Sequence, residues 1–287
     1  MNKTSSGWMN GFMGVAIFAG SLPATRAAVA DIDPTFLTCA RACIAAVLGA
    51  VLLILLRQPR PALVDLPSLA LTAGGVVLGF PLLTGLALRH VTSAHSIVFL
   101  GLLPLCTALF AVLRGGERLR PAFWAFSLVG AACVAGFAAM GDTGASAKGD
   151  LLMLAAILVC GMGYAEGARL SRTLGGWQVI CWALLLALPL MLPAALWTAP
   201  ASFSQVGPAA WLGFAYVSVF SMLIGFFFWY RGLAQGGIAA VGQLQLVQPF
   251  MALGLAALLL NEKVSGAMVL ATMAAVLCVA GARKYAK

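Results

Sequence analysis

Charge is scarce in this sequence. Of 287 residues, 9% are charged; eight are Asp or Glu and two are His. That leaves little material for acid–base or metal chemistry. No Gly-x-Ser-x-Gly elbow occurs. Asp31 and Asp33 lie just beyond the first apolar run, and Asp142 and Asp150 read as loop residues between two halves. No aspartate pair is therefore expected inside the apolar runs, as an intramembrane protease would need. The seven cysteines, an odd number, show no metal-ligand spacing with His and read as small hydrophobes in helix packing. Neither metal nor cofactor is expected, and an enzyme lacks its constellation. The net charge of +9 sits on no soluble domain, so it gives no footprint for nucleic acid.

What is abundant is apolar: 62% of residues. Ten runs of spanning length lie at about 7–28, 35–56, 67–88, 92–114, 121–140, 150–170, 176–197, 208–230, 237–260 and 264–282. Lipid cannot satisfy exposed backbone groups, which forces each run into a helix. A β-barrel would alternate apolar and polar residues, and these runs are continuous. With the N-terminus placed in the cytoplasm, twelve basic residues fall on the cytoplasmic side and three (Arg89, Lys148, Lys263) on the other. The positive-inside rule thus predicts both termini inside. A rival reading takes Lys3, the first run and Ala28-Val29-Ala30 as a secretory signal; Arg26 beside the cleavage site speaks against it.

A shift of 145 residues brings Pro104 onto Pro249, Glu117 onto Glu262, Arg118 onto Lys263, and Cys133-Val134-Ala135-Gly136 onto Cys278-Val279-Ala280-Gly281. The expected fold is an all-α membrane protein with ten transmembrane helices, built as two inverted five-helix repeats around a central cavity. The halves are residues 1–141 and 142–287, joined through the small, polar stretch Gly141–Lys148. Five is odd, so the second half enters the membrane from the opposite face, and sites in such folds lie at the midplane between halves. Channels show selectivity rings or oligomeric pores; an inverted repeat with kinked helices speaks for alternating access.

Thr92-Ser93-Ala94, Pro104 and Glu117, with Ala239-Ala240, Gln248-Pro249 and Asn261-Glu262-Lys263, carry a family resemblance. Over nearly its whole length the chain resembles the drug/metabolite transporter superfamily, in particular its EamA-type members, and looks most like the YddG-type amino-acid exporters of bacterial inner membranes. The resemblance implies export of amino acids, aromatic ones included, through a cavity shared by both halves. The partners expected are a small-molecule substrate and the bilayer, with no nucleic acid and a functional monomer.

Polar groups deep in a span are costly and so become candidates. Gln245 and Gln248 share one helix face, which Gln243 does not, and Pro249 frees a carbonyl near Gln245. Such a group suits a zwitterion; the alternative is hydrogen bonding between helices. His95, Ser96 and Phe99 open the fourth run, and His95 reads equally as a proton relay, a substrate donor or a locally satisfied ring. Phe80, Phe99, Tyr164, Phe220, Trp229 and Tyr230 lie on helices expected to face the cavity. Trp8, Trp124, Trp177, Trp197, Trp211, Trp229 and Tyr230 lie near predicted run ends, where an aromatic belt explains them better.

Glu166 and Arg169 are three apart and read first as an intrahelical ion pair, second as an inner gate. Arg26 and Arg41, at the outer ends of the first and second runs, either meet a substrate carboxylate or snorkel to headgroups. Glu117 and Glu262 read as helix-junction elements. Gly75/Gly79 and Gly163/Gly167 form small-residue packing faces. Pro23, Pro81, Pro104 and Pro249 read as hinges, as do Pro189 and Pro193. Export of cationic drugs would want a carboxylate deep in the membrane, and a phosphorylated substrate several cavity cations; neither pattern is present.

Overall fold

A computed structural model describes residues 3–115, 120–139, 146–236 and 241–284. Among them the only regular structure is helical. The helices are α1 (Lys3–Ala19), α2 (Ser21–Val29), α3 (Pro34–Leu55), α4 (Leu66–Thr72), α5 (Phe80–Ala87), α6 (Ser93–Leu100), α7 (Leu103–Gly115) and α8 (Pro121–Ala139). They continue as α9 (Ala147–Leu170), α10 (Gly176–Trp197), α11 (Pro208–Ala215), α12 (Gly225–Gly236), α13 (Gln248–Leu260) and α14 (Gly266–Lys284). Two π-helical segments, Ala73–Gly79 and Tyr216–Ile224, join α4 to α5 and α11 to α12.

Six helical stretches are long and apolar enough to cross a membrane: Ser6–Val29, Pro34–Leu55, Leu63–Ala87, Ala147–Leu170, Gly176–Trp197 and Pro208–Gln235. The fourth and ninth apolar runs are instead broken. The chain turns at Gly101 and Leu102 between α6 and α7, and a 3-10 segment, Gly242–Leu246, precedes α13. The prolines explain both breaks. Pro104 and Pro249 each occupy the second position of a new helix, where a missing N–H costs nothing. They start helices here and do not kink continuous ones.

The register seen in the sequence extends to these elements. Moved by 145 residues, α7 coincides with α13 end to end, and α8 with α14. The first π segment falls inside the second. Matched helices also pack on each other: α3 lies along α10, and α8 along α14, with Gly130 against Cys278. Likewise α1 packs on α12, and α9 on α4, the first π segment and α5.

Close approach of α9 to the first π segment depends on two glycines. A Cβ on Gly75 would stand 2.5 Å from the Val159 carbonyl oxygen and 2.8 Å from Gly163 Cα. Gly163 in turn has room for no side chain beside Val76. The small-residue face expected there is a backbone-to-backbone contact.

One end of the bundle is pinned by Glu262. Its carboxylate accepts from the Ser93 and Ala94 backbone N–H groups at 3.1 and 2.7 Å, and from Ser93 Oγ at 2.7 Å. It thereby caps the N-terminus of α6, where a negative charge meets unpaired N–H groups and the positive end of the helix dipole. This is the junction role expected of Glu262. Glu117, Arg118, Ala239, Ala240 and residues 141–145 lie outside the described residues.

Candidate functional site

The interruptions converge on one narrow cavity of about 30 Å³. Ser21 and Leu22 follow the break at Gly20; Val76 and Ser221 lie on the two π segments; Leu100 and Leu103 flank the α6–α7 turn; Gln248 begins α13. Irregular backbone inside a membrane protein is tolerated where it is buried or lines a cavity, and π turns gather at functional sites. The freed backbone is partly satisfied: Tyr216 Oη donates to the Ile17 carbonyl at 2.7 Å, just ahead of the Gly20 break.

Part of the lining is polar. Arg41, on α3, is 5% exposed and its Nη2 donates to Ser221 Oγ at 3.2 Å. Ser221 Oγ is 2.8 Å from Ser21 Oγ, which links α3, the second π segment and α2. Arg41 Nε finds no partner among the described residues. Thr25 and Gln248 also line the cavity, and Thr84 Oγ1 is turned back onto the Phe80 and Pro81 carbonyls at 2.7 and 3.1 Å. No acidic residue lines the cavity among the described residues.

Aromatic rings also line the cavity: those of Phe18, Phe80, Tyr164 and Phe226. Phe18 stacks on Tyr164 at 6.3 Å and meets Phe226 edge-on at 4.9 Å. Trp229 and Tyr230, 1% and 0% exposed, lie behind them, with Trp229 at 5.9 Å from Tyr164 and Tyr230 at 5.3 Å from Phe226. The belt reading therefore does not hold for Trp229 and Tyr230. Trp197, 92% exposed, and Trp8, Trp124 and Trp211, each about two-fifths exposed, do face outward. Phe220 also faces outward, 45% exposed and stacked on Tyr216, so it is no part of the cavity.

The remaining candidates separate. Gln248 lines the cavity, but Gln245, carried on the 3-10 segment, is buried away from it. The two do not lie on one continuous helix: the 3-10 segment ends at Leu246 and the chain turns at Val247 before α13 begins. His95 is fully buried outside the cavity lining, its Nε2 2.7 Å from Asp150 Oδ1. Asp150 is thus no loop residue; it lies in the first turn of α9 and is buried. Ser96 and Phe99 are buried with His95 and do not line the cavity, and Phe99 packs on the His95 ring at 5.8 Å.

Glu166 and Arg169 form the expected i,i+3 ion pair at 3.1 Å, and Arg169 Nη2 also donates to Ser68 Oγ on α4. The pair lies away from the cavity, with Glu166 buried and Arg169 half-exposed. Arg26 donates to the Leu88 backbone carbonyl, tying α2 to the end of α5. Pro81 follows the first π segment and lines the cavity, and Pro23 is buried in the first turn of α2. All seven cysteines are free thiols, Cys160 among the lining residues. Groups of three or more metal-ligating residues are absent among the described residues.

Sequence reasoning missed Phe18, Ser21, Thr25, Ser221 and Phe226. The serines carried a signal: single hydroxyls within long apolar runs beside a glycine or a run of aromatics.

The model of the EamA-like transporter family matches residues 5–138 and again 147–283. A relative described as "Uncharacterized transporter YdeK", from Bacillus subtilis (strain 168), is 64% identical over 287 residues, covering 100% of both chains. A solved crystal structure superimposes with a TM-score of 0.67 over 97% of this chain and 96% of its own, at 23% identity, and so shares the fold.

Proposed function

The chain belongs to the EamA-like transporter family and is a multi-pass membrane transporter, not an enzyme; on that premise we propose that it exports amino acids, aromatic ones included, in the manner of YddG-type exporters. The carrying observation is the mixed lining of the cavity. Arg41, Ser221, Ser21 and Gln248 offer donors to a carboxylate, and Phe18, Tyr164 and Phe226 line the same space with aromatic rings. The lining combines contributions from both halves, as a site between repeats requires.

The mechanism proposed is alternating access. Ten spans form two inverted halves, divided near residue 142, which exchange conformations about the cavity. Coincident breaks at Pro104 and Pro249, and paired π segments, support this: the elements that must flex recur at matched positions in both halves. The protein is proposed to act as a monomer in the bacterial inner membrane with both termini cytoplasmic; the basic residues of the loops support that orientation.

Direction of transport is testable in cells. Bacteria expressing the protein should grow at higher concentrations of p-fluorophenylalanine than cells carrying an empty vector. Increased sensitivity would mean uptake; no change in either direction would remove aromatic amino acids from the reading.

A further inference from the structure

The charges lining the cavity do not balance, and the imbalance bears on the substrate. Arg41 is an arginine buried to 95% in a chain that spans a membrane. Among the described residues its one hydrogen bond goes to a neutral hydroxyl, that of Ser221, and its Nε has no partner. A guanidinium presents a planar fork of donors matched to a carboxylate. Leaving such a cation unpaired in a low-dielectric interior is expensive, and a structural arginine is satisfied by an acid or by carbonyls, as Arg26 is by Leu88. The ion pairs seen among the described residues involve Arg89, His95 and Arg169, and not Arg41.

Leu103 and Gln248, the first residues of α7 and α13, both line the cavity, as does Leu100, the last residue of α6. The positive end of α7 is thus offset by the negative end of α6, and the start of α13 adds to the sign of the guanidinium.

We propose that Arg41 is the anchor for a substrate carboxylate, and that the cavity selects an apolar monocarboxylate whose α-amino group is dispensable. This deepens the amino-acid reading and rests on it for the site. The argument is electrostatic. One fixed positive charge is neutralised by one carboxylate. A zwitterion brings a carboxylate and an ammonium together, and the ammonium meets hydroxyl and amide oxygens and aromatic faces but no acid, since none lines the cavity. A cation lacking the carboxylate has no acid to pair with and is repelled by Arg41. Amino acids are thus accepted through the half of the molecule they share with simple aryl-alkyl acids.

Three probes that differ by one group each separate these terms: L-phenylalanine, 3-phenylpropionate (no amino group) and phenethylamine (no carboxylate). Their binding to the full-length protein in detergent is read by titration calorimetry. The expected result is 3-phenylpropionate binding at least as tightly as L-phenylalanine, and phenethylamine not binding. Arg41→Gln should weaken both carboxylates by about 100-fold or more, the scale of losing one partner of a buried charge pair. Arg41→Lys, which keeps charge but not the fork, should recover part of that loss. Phenethylamine binding as well as the acids, 3-phenylpropionate binding more than tenfold weaker than L-phenylalanine, or unchanged acid binding by Arg41→Gln would each overturn the proposal. Binding of 3-phenylpropionate without L-phenylalanine would instead overturn the amino-acid reading and leave the anchor standing. Silence from all three in the unaltered protein would overturn both. If Arg41→Gln fails to fold, the three probes on the unaltered protein still decide.

Discussion

Arg41 reaches across from α3 to Ser221 on the second π segment, its Nη2 3.2 Å from the serine oxygen, with no carboxylate beside it among the described residues. A cation held this way is kept at a cost to stability. Arg41→Met should therefore raise the thermal midpoint of the purified protein while abolishing transport. Taking a charge out of water costs several kcal/mol, which an apolar side chain of similar length does not incur. A lower midpoint would make Arg41 a structural residue.

His95 and Asp150 join α6 to α9 by a buried pair at 2.7 Å. His95→Leu should lower the thermal midpoint, because Asp150 is then left buried without its partner, a change typically costing about 3–5 kcal/mol. His95→Leu with Asp150→Leu should recover most of the loss. A double variant as unstable as the single one would mean that the His95 ring matters for packing and not for the pair.

Gly75 and its neighbour Gly74 offer a controlled comparison. Gly75→Ala pushes a methyl group into the Val159 carbonyl and Gly163, so folded yield should fall sharply; overpacking of this kind costs about 1–3 kcal/mol or more. Gly74→Ala meets nothing within 4 Å and should express normally. Equal yields would show that α9 stands further from the first π segment than the structure places it.

Gln248 and Gln245 are close in sequence yet differ in position. Gln248→Ala should weaken transport by about tenfold, the value of roughly one hydrogen bond to a charged group. Gln245→Ala, away from the cavity, should leave transport near normal. Tyr164→Ala should reduce export of aromatic substrates more than of small ones, since Tyr164 is among the aromatic rings lining the cavity. Equal losses for both substrate sizes would make Tyr164 a packing residue.

Glu262 caps α6 with three hydrogen bonds. Glu262→Ala should destabilise by about 2 kcal/mol, and Glu262→Gln by less, because an amide oxygen still accepts but carries no charge against the dipole. A thermal melt of both variants checks the order.

The sequence made the membrane character, the helical class and the 145-residue register readable, because runs of apolar residues and shared Glu and Pro positions are local facts. The Glu166–Arg169 pair was readable for the same reason: three residues on a helix fix a distance. The cavity was not. Arg41 at a span end looks the same whether it snorkels outward or turns in, and only packing against the second π segment decides. The π segments leave no mark in composition, since their extra residue is absorbed by tertiary contacts. Trp229 and Tyr230 looked like belt residues because the end of their run was drawn at them, while α12 continues to Gly236 and buries both. Gln245 and Gln248 were paired by assuming a continuous α-helix, which the 3-10 segment before Pro249 replaces.

The most direct test of the account is counterflow in proteoliposomes holding the purified protein. Vesicles are loaded with one unlabelled compound from a panel of Trp, Phe, Met and Thr, with a cationic dye and a nucleotide-sugar as rivals, and entry of the labelled form is followed. The account predicts exchange of the amino acids, fastest for Phe and Trp, without an imposed proton gradient, and none with Arg41→Gln. Exchange of the dye or the nucleotide-sugar, with silence from every amino acid, would contradict it.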